Sequence, residues 1–102
     1  MAMSWELDEA TAVELIRERL DSSPPREGET LIISGVEQRD WGWIVSWEGV
    51  RVPGPHRRTP PDRGVYLVDR QSGRVGMGVH ALGLDASVEA WRRGDLADLP
   101  PV

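Results

Sequence analysis

Val65-Tyr66-Leu67-Val68-Asp69-Arg70-Gln71-Ser72-Gly73-Arg74-Val75-Gly76-Met77-Gly78-Val79 is the stretch that decides the fold. Two aliphatic runs flank a break from Arg70 to Gly73. Such a break closes an antiparallel hairpin, with glycine supplying a positive φ. If Asp69 opposes Arg74, then Tyr66, Val68, Val75, Met77 and Val79 share one face. Val65, Leu67, Gly76 and Gly78 share the other. The first set is the expected core face. Glycine at alternate positions leaves room for an indole ring or another backbone to lie flat.

Upstream, Trp41 to Glu48 alternates as a strand. Trp41, Trp43, Val45 and Trp47 fall on one face, and Gly42, Ile44, Ser46 and Glu48 on the other. Arg39-Asp40 is the expected tight connection to an earlier strand, which runs from Glu29 or Thr30 to Gln38. Leu31-Ile32-Ile33 is apolar at successive positions, which predicts a strand start buried on both sides. Residues 49–64 hold four prolines and three glycines in sixteen positions, so they read as a long loop without a regular element. Loops of that length in small domains carry function or move.

Before the first strand, Glu9 to Asp21 places Ala12, Val13, Ile16 and Leu20 on one helical stripe, with Asp8 as N-cap and Leu7 before it. Ser22-Ser23-Pro24-Pro25 stops the helix. Asp85 is the expected cap of a short C-terminal helix, with Val88, Trp91 and Leu84 facing inward and Gly94 ending it. Residues 1–7 read as a loose arm and 95–102 as a fraying tail. The fold class is therefore α+β in one domain of 102 residues. An N-terminal helix packs on a four-stranded antiparallel sheet, and a short helix follows.

Composition narrows the chemistry. Cysteine is absent, which removes disulfides and thiolate sites. Every cation is arginine, so no lysine serves as a base or forms a Schiff base. Five tryptophans and no phenylalanine make a core of aliphatics and indoles. The net charge of −5 disfavours nucleic acid and suits a basic partner. No apolar run reaches the roughly 20 residues of a membrane span. Residues 1–6 lack a secretory pattern, so the cytoplasm is the expected compartment.

Val36-Glu37, then Gly42-Trp43-Ile44-Val45-Ser46-Trp47, then Tyr66-Leu67-Val68-Asp69-Arg70 with Gly73 follow the first helix in order. This succession resembles the YrhB-like family, also called the immunity protein 35 family, over roughly residues 9–75. The resemblance implies a small α+β domain of bacterial toxin–immunity loci that binds and neutralises a cognate toxin. It implies no catalytic or metal residue. Beyond residue 75 the chain departs from that pattern, and so does the Pro60-Pro61-Asp62 segment.

Several groups are candidates for contact with a protein partner. Trp41, Trp43 and Trp47 either present exposed indoles, which are enriched at binding hot spots, or form the core under the first helix. Glu27, Glu29, Glu37, Asp40 and Glu48 either meet a basic cleft or form ordinary solvated surface. Arg51, His56, Arg57, Arg58 and Arg63 in the long loop either grip an anionic group or keep that loop soluble. Gly73, Gly76 and Gly78 have the wrong spacing for a phosphate loop, and no helix follows directly. His56 and His80 have no carboxylates at metal-ligand spacing, and no nucleophile motif is present. The expected protein is a non-enzymatic binder of a cognate toxin, without cofactor or metal. A chaperone-like module with broader clients is the alternative. A tryptophan strand at a sheet edge would also invite a homodimer.

Overall fold

Asp8 begins the first helix as its residue type dictates: its Oδ1 accepts the Thr11 N–H at 2.8 Å. The computed structural model describes residues 7–22, 29–51 and 63–100. Within them α1 runs Glu9–Ser22, and Ala12, Ile16 and Leu20, each four residues apart, are its buried stripe. Four strands follow: β1 Glu29–Arg39, β2 Gly42–Arg51, β3 Arg63–Asp69 and β4 Val75–Met77. They form one sheet in the order β1-β2-β3-β4, every pair antiparallel. The second helix, α2, runs Leu84–Arg93 and ends at Gly94, whose left-handed backbone (φ 87°) lets its N–H reach back to the last carbonyls.

The two helices lie on opposite faces. Under α1 are Trp43, Val45, Tyr66, Val68 and Val75. The alternate residues Ile44 and Leu67 meet Trp91 of α2. Val45, Val68, Leu67 and Trp91 are fully buried, and each of the three aliphatic side chains contributes about 1.5–3 kcal/mol. The expected hairpin is present: Leu67 opposes Gly76, Val68 opposes Val75, and the Asp69 N–H donates to the Arg74 carbonyl at 2.9 Å. Gly76 does accommodate an indole, since the Trp91 ring lies against its Cα.

Several expectations are corrected. Trp41 is not in β2: Asp40 and Trp41 form the two-residue connection, and Arg39 pairs with Gly42. The one-residue shift sends Trp41 to the α2 face, away from Trp43 and Trp47. Leu31 and Ile33 are half-buried beneath α1, but Ile32 on the other face is exposed, because β1 is an edge strand that α2 does not reach. The connection after β2 is shorter than expected. Gly49 and Gly64 belong to strands, pressed against the Glu29 side chain and the Trp47 indole respectively. Arg57 and Arg58 fall outside the described residues. Asp85 sits in the first turn of α2, where its charge suits the helix dipole, and Gly83 is the cap. Met77, Val79 and Leu84 are exposed rather than core.

The end of the chain is tied down as far as residue 100. Leu96 packs on the α2-side cluster and Leu99 on the α1-side cluster. The Leu99 N–H donates to the Val75 carbonyl at 2.7 Å, and the Arg19 guanidinium donates to the Pro100 carbonyl. This segment wraps the β4 edge, and among the described residues β1 remains the open edge.

Candidate functional site

A helix of ten residues is about 15 Å long, whereas a ten-residue strand spans about 33 Å. α2 therefore cannot cover the sheet face it lies on. It covers Ile44 and Leu67 and leaves the half toward Val50 and Arg63 open. Register places the open half in rows. Gly35, Ser46 and Val65 lie side by side, then Ile32, Glu48 and Arg63, then Thr30 and Val50. Ile32 and Val50 are 39% and 46% exposed, which is high for aliphatics on a sheet.

Where this half-face meets α2 there is a groove of about 180 Å³ between Val65, Val79 and Leu84, floored by Gly64 and Gly78. Ser87 shapes its wall. The buried hydroxyl accepts the Val79 N–H at 2.8 Å and donates to the Gly83 carbonyl at 2.7 Å. That bond pair holds the turn carrying Val79 and Leu82 against the start of α2. His80 lines the groove and is exposed. The arrangement offers an apolar slot, with Glu48 and Arg63 paired across the neighbouring row of the sheet.

The residues expected to share one surface are dispersed. Glu48 lies within the open half-face. Trp43 is buried beneath α1, and Trp47 is half-buried there, stacked on Tyr66 with ring centroids 6.2 Å apart. Burial pushes the Tyr66 hydroxyl above its usual pKa, against the opposing influence of Arg19. Glu37 is exposed on β1 and ion-paired to Arg39. Asp40 and Trp41 mark the hairpin end. There Trp41 meets Trp91 edge-on at 5.6 Å, and the Arg92 guanidinium lies 5.9 Å from the Trp41 ring.

Ile32, Val50, Val79 and Leu84 were not among the expected contact residues. The signal for them was readable: glycines at 83 and 94 bound a helix too short to cover strands of ten residues. Among the described residues, no group of three or more histidine, aspartate or glutamate side chains could hold a metal ion. No helix among them is long and apolar enough to cross a membrane. Compared with known proteins, the chain matches no family model, no curated protein and no solved structure.

Proposed function

We propose that this protein is an immunity-type binder, which neutralises a cognate bacterial toxin in the cytoplasm by forming a one-to-one complex. The observation that carries the binding reading is the open half-face beside α2. There Ile32 and Val50 stay in water on the sheet, and exposed Val79 and Leu84 line an apolar groove beside α2. Exposed aliphatics gathered on one face of a small domain mark contact surfaces. The motif order from α1 through the β3–β4 hairpin directs the reading toward immunity proteins, and the net charge of −5 favours a basic partner. The same apolar exposure supports a second reading, a chaperone-like module with many clients.

Affinity capture from the cell's own lysate separates the two. Leu84→Glu and Val50→Glu place a charge in the face at exposed positions and leave thermal unfolding within about 0.5 kcal/mol. One dominant partner at equal stoichiometry, bound about 30-fold more weakly by each variant (~2 kcal/mol), is the expected result. Many unrelated clients would favour the chaperone-like reading. Capture that neither variant weakens would remove the half-face from the function.

A further inference from the structure

The outer edge of β1 carries a different prospect. This strand is eleven residues long, and every residue from Ser34 to Arg39 is exposed. The opposite edge of the sheet is occupied, since the Val75 carbonyl already receives the Leu99 N–H. An unpaired row of backbone donors and acceptors is a template for another strand.

The register of β1 on β2 slips between Ile33 and Gly35, so Ser34 is an extra residue, a bulge. In a regular strand, residues three apart face opposite ways. Across this bulge they do not: Ile33 opposes Trp47 and Val36 opposes Val45, both on the α1 side. A two-fold axis between Ser34 and Gly35, perpendicular to the sheet, then sets Ile33 of one copy against Val36 of the other, twice. The same register sets Leu31 against Gln38 on the α1 side. On the α2 side it sets Ile32 against Glu37 and Thr30 against Arg39. Each of these opposed pairs shares a face, and none sets like charges against each other.

We infer that a second copy of this chain pairs antiparallel along β1, joining two four-stranded sheets into one through the Ile33–Val36 contacts. Ile33 already packs on the α1-side cluster, so the dimer would extend that core across the axis. The interface is isologous, as a closed dimer requires. It shares Ile32 and Thr30 of β1 with the open half-face but is built on the backbone of the outer edge and on Ile33 and Val36 of the other face, so it does not rest on the binding reading above.

The test begins with the mass of the unmodified protein in solution by light scattering, over a range of concentrations. Twice the 11.4 kDa chain mass at high concentration is expected, reverting to single mass for Val36→Lys. Register is then read by cross-linking. The chain has no cysteine, so background disulfides cannot form. Within one strand residues 33 and 36 are about 10 Å apart, too far to bridge. Opposed across an antiparallel pair they are about 5 Å apart. The Ile33→Cys/Val36→Cys variant should therefore form an interchain disulfide in most molecules, and Ile33→Cys/Gln38→Cys in few. Single mass at every concentration would overturn the inference and leave the edge to a strand of different sequence. A dimer that survives Val36→Lys, or that cross-links equally in the 33/38 variant, would overturn it too.

Discussion

Gly76 shows how one missing side chain positions a helix. A Cβ at this position would lie 2.5 Å from Nε1 of Trp91, inside the buried indole. The ring cannot move freely, because its N–H donates to Asp98 at 2.9 Å and the Arg74 guanidinium sits 5.3 Å over it. Gly76→Ala therefore overpacks the α2 face. Its expected cost is about 1–3 kcal/mol, read as a lower urea midpoint at unchanged slope. The tryptophans illustrate the same point. Trp43 and Trp47 are held by α1 and Tyr66, whereas Trp41 is turned to the other face by a connection one residue later than expected.

At the scale of elements, the short α2 and the turn before it are coupled through one hydroxyl. Ser87 is completely buried and satisfies the Val79 N–H and the Gly83 carbonyl together. Ser87→Ala leaves that N–H without its acceptor, at a cost of about 1–2 kcal/mol. The loss should appear locally, as faster amide exchange at Val79 with exchange in β2 and β3 little changed. Hydrogen exchange followed by NMR checks it. The turn carries Val79 and Leu82, so loosening it also blurs the groove. The bulge at Ser34 acts likewise on β1, since it decides which side chains look toward α1.

For the whole molecule, the corner where α1 starts and the β3–β4 hairpin turns is one electrostatic unit. The Leu7 N–H donates to the Arg70 carbonyl at 2.8 Å, docking the helix start on the turn. Burial raises the Asp69 carboxyl, but N–H groups of Ser72 and Gln71, the Ser72 hydroxyl and nearby Arg74 outweigh it and bring its pKa below the ordinary value. The Thr11 hydroxyl and N–H lower that of Asp8. A carboxylate with a lowered folded pKa stabilises the fold above its unfolded value, near 4 for aspartate. That stability is lost as pH falls through the folded value. The melting temperature should therefore hold steady from about pH 7 to 5 and fall below about pH 4. Asp69→Asn should lower it at neutral pH and flatten the acid limb. Circular dichroism melts between these limits check both.

The hairpin turn after β3, the α1 stripe residues Ala12, Ile16 and Leu20, and the glycine ending α2 were legible because each is local: a period, a cap or a turn within a few residues. The returning strand stops at Met77, short of Val79, and Val13 of the expected stripe is only half-buried. The α+β class was legible too, since connections that are short or are loops without a helix leave antiparallel pairing. Through these local signals the sequence by itself carried the elements, their order and the β3–β4 register, but not the β1–β2 connection, which falls at Asp40-Trp41. It could not determine which face each helix takes, because Trp43 and Ile44 make both faces of β2 apolar. Nor could it show that β1 is the edge whose Ile32 stays in water. Only tertiary packing decided those points, and with them the candidate surface. Coverage depends on how far a ten-residue helix reaches across longer strands, and that length is compared with them only once the layers are stacked.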